Sequence, residues 1–174
     1  MVELKKILSE AGIKKEISRV AGEISSDYAG KDVVLIGVLK GSFIFMADLA
    51  RQITTPLTVD FIGAASYHDQ TSPGETISIT KEISLDISGK DVLIVEDIID
   101  TGRTLSFLLN HLKQYDPASI KICTHIIKNE RREIDIPIDY CCHTVEKGFL
   151  VGYGLDLNEK YRNLPEIYHI HFNQ

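Results

Sequence analysis

From Val92 to Leu105 the chain reads Val-Leu-Ile-Val-Glu-Asp-Ile-Ile-Asp-Thr-Gly-Arg-Thr-Leu. An apolar run delivers two adjacent carboxylates, Glu96 and Asp97, and three residues later a third, Asp100. Thr101, Gly102, Arg103 and Thr104 then supply hydroxyls, a turn that backbone can approach closely, and the opening of a helix. First-turn amides of a helix are unpaired donors at the positive end of its dipole, so this segment can cradle a phosphate. Carboxylates placed just before such a grip suit a phosphorylated sugar whose hydroxyls need acceptors. A plainer reading has Asp100 or Thr101 capping the helix, with Glu96 and Asp97 as solvated turn residues. The position directly beyond a buried strand weighs against it.

Neither G-x-x-x-x-G-K-[ST] nor G-x-G-x-x-G is present, since Gly152-Tyr-Gly154 lacks the third glycine; ordinary triphosphate and dinucleotide sites lose support.

The elements that must hold these residues follow from periodicity. Ile17, Val20, Ala21, Ile24 and Tyr28 recur at helical spacing, so the first thirty residues read as an amphipathic helix ended near Gly30. Val33 to Val38 is almost wholly apolar and β-branched, as a strand covered on both faces would be. Phe43, Met46, Ala47 and Ala50 mark a second helix. Leu57 to Tyr67 reads as extended, Thr76 to Ile83 as a solvated strand, and His68 to Glu75 between them as a mobile loop. Asp91 to Glu96 is a second buried strand, and Leu105, Leu108, Leu109 and Leu112 place a third helix that stops before Asp116-Pro117. Ser119 to Ile127 and Ile138 to His143 complete the strands. Strands alternating with helices at this rhythm predict an α/β fold with a doubly wound parallel sheet flanked by helices, and a small hood formed by the terminal segments. Ligands of such sheets bind beyond the carboxyl ends of the strands, which selects the residues after Val38 and Val95.

At 174 residues, 44% hydrophobic and 25% charged, one domain (1–174) is expected, with a core that needs no staple. Three cysteines, two of them adjacent, fit reduced thiols in a cytoplasm. The longest apolar run, Val33 to Leu39, is far short of the roughly 18 residues a membrane span needs. A net charge of −6 without any Lys/Arg block argues against nucleic acid as a partner.

Val92 to Leu105 resembles the ribose-phosphate-binding motif of the type I phosphoribosyltransferases, and its form Glu-Asp-Ile-Ile-Asp-Thr-Gly resembles the hypoxanthine-guanine branch. The similarity extends from about Val33 to Leu164. Further matching segments are Val38-Leu39-Lys40-Gly41-Ser42, the Ser66-Tyr67 pair, Lys128, and Phe149-Leu150-Val151-Gly152-Tyr153-Gly154-Leu155-Asp156 followed by Arg162. The resemblance implies a purine-salvage transferase acting on phosphoribosyl pyrophosphate and a 6-oxopurine, with Mg²⁺ as cofactor and a homodimer or homotetramer as the assembly. By it, Glu96, Asp97, Ile98, Ile99, Asp100, Thr101, Gly102, Arg103 and Thr104 form the ribose-phosphate site. Glu96 and Asp97 take the ribose hydroxyls, Asp100 handles the purine N7 proton, and Thr101 to Thr104 hold the 5′-phosphate. Leu39, Lys40 and Gly41, a turn that often carries a non-proline cis peptide, meet pyrophosphate together with Arg162. Ser66 and Tyr67 open a loop that closes over the reaction. Lys128 donates to the 6-oxo group, Phe149 stacks on the base, and Leu150 and Asp156 contact its edge; Glu96, Asp97 and Asp156 lie near magnesium. Each has a bland counterpart: Lys128 as a solvated strand end, Phe149 as core, Arg162 in a surface ion pair.

The stretch Cys141 to Gly148 departs from the family pattern, which leaves open the shape of the base pocket's outer wall and of the subunit interface. Cys123, His125, Cys141, Cys142 and His143 match no common zinc spacing and read as core. His169 and His171 read as terminal surface residues sharing one strand face. A regulatory protein on the same scaffold, sensing the sugar pyrophosphate and binding nucleic acid, is the competing function; it needs a basic face and no proton acceptor.

Overall fold

The computed structural model describes residues 2–68 and 75–172. In chain order the elements are β1 (Val2–Leu8), α1 (Glu10–Asp27), β2 (Val33–Leu39), α2 (Phe43–Ala50), β3 (Leu57–His68), β4 (Glu75–Lys81), β5 (Asp91–Ile99), α3 (Arg103–Lys113), β6 (Ser119–Lys128), β7 (Tyr140–Val145), β8 (Leu150–Val151) and β9 (Ile167–Phe172). Six strands form one sheet in the order β4-β3-β2-β5-β6-β7. All neighbours are parallel except β3 and β4, which pair antiparallel at the edge.

Alternation along the central strands divides the core into two layers. Val33, Leu35, Leu93 and Val95 point to one face and are covered by Ile13, Ile17, Val20 and Ile24 of α1 and by Phe45, Met46 and Leu49 of α2. Val34, Ile36, Val92 and Ile94 point to the other, covered by Leu105, Leu108 and Leu112 of α3. This is the doubly wound arrangement with helices on both faces that the repeating pattern predicts. The hood is a separate three-stranded sheet in the order β1-β9-β8, joining the two ends of the chain.

The chain's opening differs from expectation. Residues 2–8 are a strand, pairing for example Leu4 with Ile170 and Lys6 with Tyr168, and the helix begins only after Ser9. Ser9 caps it by accepting from the Gly12 N–H (3.2 Å). The partner strand lies some 160 residues away in the sequence, so no local periodicity could report the pairing. At the other boundary, β7 starts two residues later than predicted. Asp139 first takes the Ile122 N–H on its carboxylate (2.8 Å) and donates its own N–H to the Ile122 carbonyl (3.1 Å). The predicted loop falls largely on residues 69–74, outside the described residues; Ser66 and Tyr67 belong to the end of β3, in register with Ile77 and Thr76. Among the described residues no helix is long and apolar enough to cross a membrane.

His125 on β6 is fully buried, its ring 5.1 Å from those of Phe45 and Tyr153 and 5.3 Å from that of His143. Its Nε2 has no hydrogen-bond partner, and burial pushes its pKa down to about 3. As the pH falls below about 6.5, the unfolded chain takes up a proton there that the folded chain refuses, so stability drains away progressively toward pH 3. One such group costs about 2 kcal/mol between pH 7 and pH 5. His125→Phe keeps a ring in the site and should therefore lose about 2 kcal/mol less than the wild type over that interval. Urea unfolding at both pH values measures this, and equal losses would mean that His125 is not held neutral.

Candidate active site

The carboxyl ends of β2, β5 and β6 converge on one rim of the sheet, as the parallel register requires. Strand β5 runs past Val95 as far as Ile99, so Glu96 and Asp97 are strand residues rather than turn residues. Glu96 is buried, and its Oε1 accepts from the Asp97 N–H (3.1 Å). Burial, and next the neighbouring Asp97 charge, push the Glu96 carboxyl well above the usual range. Burial also raises Asp97, against the pull of the Ile98 N–H on its Oδ1 (2.8 Å) and of Arg162. Two adjacent desolvated carboxylates are a site prepared for hydroxyl donors or a hard cation.

Beyond Asp100 the chain turns into α3 through Gly102, whose φ is 85°. No side chain caps this helix, although the Thr101 hydroxyl accepts from the Arg103 N–H (3.3 Å). The capping reading of Asp100 thus does not hold: its carboxylate meets Lys128 Nζ (3.2 Å) and Arg131 (3.5 Å) through Oδ2. Its Oδ1 is buried without a partner.

Three cavities adjoin these residues. One of about 110 Å³ is lined by Glu96, Ile98, Ile99 and Asp100 together with Thr101, Gly102 and Thr104 of the turn. A second, about 200 Å³, is lined by Asp97, Ile98, Asp100, Lys128, Phe149, Leu150, Leu155 and Asp156. Asp100 and Ile98 line both, and so stand on the wall between them. A third, about 430 Å³, holds Leu39, Lys40 and Arg162 with Lys81 and Glu159. A separate cavity of about 460 Å³, between α3 and the 134–139 segment, shares no residue with these three.

The sequence-selected residues therefore meet along one rim. Phe149 is 46% exposed, so it is not core, and Lys128 is buried, so it is not a solvated strand end; its ammonium also reaches the Gly148 carbonyl (3.4 Å). Arg162 donates to the Gly154 carbonyl (2.8 Å) and to Asp156 Oδ1 (2.9 Å), with its Nε buried and unpartnered. The Leu39-Lys40 peptide is cis. Glu96, Asp97 and Asp156 do not gather as one cluster, and among the described residues no three His, Cys, Asp or Glu side chains stand together as a metal site. Arg131, on Asp100, and Glu159, bridging Lys40 (3.0 Å) and Arg162 (3.3 Å), were not selected from the sequence. For Arg131 a signal existed: Asn129-Glu130-Arg131-Arg132 is a charged run directly after a strand ending at the ligand rim. His169 is half-buried, its ring 6.3 Å from that of His171 and its Nε2 buried without a partner against Gly148.

A phosphoribosyl transferase domain model matches residues 3–158. The hypoxanthine-guanine phosphoribosyltransferase of Streptococcus pneumoniae is 45% identical over 166 residues, covering 95% of this chain and 92% of that protein. The hypoxanthine phosphoribosyltransferase of Escherichia coli is 44% identical over 163 residues, covering 92% of each. A crystal structure of a hypoxanthine-guanine phosphoribosyltransferase from Bacillus anthracis superposes with a TM-score of 0.91 at 41% identity, covering 98% of this chain and 100% of that one.

Close backbone approach holds the rim together. A methyl group on Gly154, whose φ is 100°, would overlap the Gly41 carbonyl oxygen. Gly154→Ala should cost about 2 kcal/mol or more, since backbone on both sides would have to move. Gly22→Ala, on the exposed face of α1 with nothing near the new methyl, should instead stabilise by about 0.5 to 1 kcal/mol. Urea midpoints of the two variants should move in opposite directions; a neutral Gly154→Ala would show that the two loops do not touch.

Proposed function

The chain belongs to the phosphoribosyl transferase family, and on that premise we propose that it transfers the 5-phosphoribosyl group of phosphoribosyl pyrophosphate to N9 of hypoxanthine or guanine, giving IMP or GMP and pyrophosphate. The observation that carries this reading is the place of Asp100: on the wall between a small hydroxyl- and amide-lined cavity and a larger one bearing an ammonium and an aromatic ring, with one carboxylate oxygen buried and unpaired.

In this reading the ribose 5′-phosphate occupies the turn from Thr101 to Thr104, and Glu96 and Asp97 accept from the ribose hydroxyls. The purine lies between Phe149 and Lys128, with its edge toward Leu150 and Asp156, and pyrophosphate lies toward Leu39, Lys40, Gly41 and Arg162. As N9 bonds to the anomeric carbon and the bond to pyrophosphate breaks, the N7 proton passes to Asp100 Oδ1. A positioned carboxylate contributes roughly 10²- to 10⁴-fold in such a step. Lys128 and Arg131 on Oδ2 keep the carboxylate aimed.

Mg²⁺ needs only one or two carboxylates when substrate oxygens complete its shell, so Glu96, Asp97 and Asp156, which line two adjoining cavities rather than forming one cluster, would hold it together with the sugar pyrophosphate. Bound there, the ion offsets the charge growing on pyrophosphate. Ser66 and Tyr67 begin the segment that would exclude water from the activated sugar. The whole chain serves as one catalytic unit in the cytoplasm, in keeping with its three free cysteines. Assembly as a dimer or tetramer would cover large apolar side chains left exposed, such as Phe43 and Val59. A nucleic-acid-binding regulator would need a basic face, which a net charge of −6 does not favour, and would have no use for Asp100.

Asp100→Asn should fold normally and lose roughly 10²-fold or more in kcat with hypoxanthine at saturating magnesium, because an amide cannot take the proton. Turnover equal to wild type would remove Asp100 from its role. Lys128 addresses the choice of base: its ammonium and the amino group of adenine are both donors, and a pocket built on a hydrogen bond rejects such a mismatch by roughly 10⁴-fold. Lys128→Ala should lose most of its kcat/KM with hypoxanthine and little of the residual value with adenine. An unaltered ratio between the two bases would assign Lys128 a purely structural place.

A further inference from the structure

The wall of the base cavity is held from outside the cavity. Phe149 and Leu150 follow Gly148, whose φ is 108°, and both peptide planes flanking that glycine are gripped. The Gly148 N–H donates to Glu130 Oε2 (3.0 Å), and the Gly148 carbonyl accepts from Lys128 Nζ (3.4 Å). One residue on, the Phe149 carbonyl accepts from the Ile170 N–H of β9 (2.9 Å). The remaining side is filled by His169: a methyl group on Gly148 would stand 3.0 Å from its Nε2. Asn129 adds a parallel tie, donating through Nδ2 to Glu146 Oε1 (3.1 Å).

We infer that Glu130 is a positioning residue for the purine, acting through the Gly148 peptide to fix the gap between the Lys128 ammonium and the Phe149 ring. The inference rests on the purine-transfer reading. Glycine has the widest backbone freedom of any residue, and at Gly148 that freedom is restrained on the N–H side by the Glu130 carboxylate. Glu130 and the tie it makes are exposed, so water can take the N–H when the carboxylate is removed. The fold then loses little, whereas the wall loses its setting. The requirement is for an acceptor rather than a charge, because the partner is a neutral amide.

Three proteins test this: wild type, Glu130→Ala and Glu130→Gln, each assayed for kcat, for KM of hypoxanthine at saturating phosphoribosyl pyrophosphate, and for KM of phosphoribosyl pyrophosphate at saturating hypoxanthine. Glu130→Ala should raise KM for hypoxanthine about three- to tenfold, the range of one hydrogen bond, with KM for the sugar pyrophosphate within about twofold of wild type. Glu130→Gln should restore KM for hypoxanthine to within about twofold of wild type, since its amide oxygen still accepts. An unchanged KM for hypoxanthine in Glu130→Ala, equal rises in both KM values, or a glutamine variant no better than alanine would each overturn the inference and leave the purine-transfer reading standing. A wild type that makes no nucleotide from hypoxanthine would overturn both.

Discussion

Two carboxylates at the end of a strand buried on both faces are the constraint on which the rim of this sheet depends. Glu96 is buried and Asp97 half-buried where β5 runs on past its last pairing with β2, at Val95, while still laddered to β6. What surrounds them must therefore make room for them or balance them. The loop after β2 gives room: a methyl group on Gly41 would collide with the Asp97 carboxylate, so the backbone there passes without a side chain. Gly154 repeats the condition one layer out against the Gly41 carbonyl, and Arg162 is brought into reach of Asp97 by bonding to the Gly154 carbonyl. Loops from two parts of the sequence, after β2 and between β8 and β9, are thus stacked on one pair of desolvated carboxyl groups.

The sheet itself was legible because its information is local. Apolar β-branched runs at Val33 and Asp91 and leucines spaced three and four apart from Leu105 state their own burial, and the crossover rule then leaves few topologies. The hood was legible only in outline. Its first strand is made by pairing Leu4 with Ile170, and the sequence around Leu4 carries no mark of that partner. The central motif was readable for a different reason: its carboxylates, hydroxyl and glycine lie within nine residues, so one turn sets their geometry. Glu130 and Arg131 stand in a charged run that the sequence does show, but the groups they meet, Gly148 and Asp100, are brought near only by folding, as Lys40 is to Glu159. The contact of the His169 ring with Gly148, 21 positions earlier, is equally absent from any local pattern.

The base cavity combines parts of unequal rigidity. Asp97, Ile98, Asp100 and Lys128 belong to or directly follow β5 and β6, two strands paired in parallel register within the six-stranded sheet. Phe149, Leu150, Leu155 and Asp156 come from a segment with only two strand residues of its own, tied down by side chains and by the last strand. Asp100 and Lys128 thus sit on the firmer set, and Phe149 and Asp156 on the set held by side-chain ties. A division of this kind lets one scaffold keep its reaction while the recognised base is adjusted by changes in the second set and its ties.

The antiparallel pairing of β8 with β9 also bears on how the protein comes into being. Leu150 and Val151 face His169 and Tyr168, and β9 in turn pairs with β1. A ribosome releases the chain from its amino end, so the phosphate turn, the carboxylates and Lys128 are all outside the exit tunnel while the backing for Phe149 is still being made. The rim of the central sheet can therefore form during synthesis before the segment carrying Phe149 has a strand to pair with.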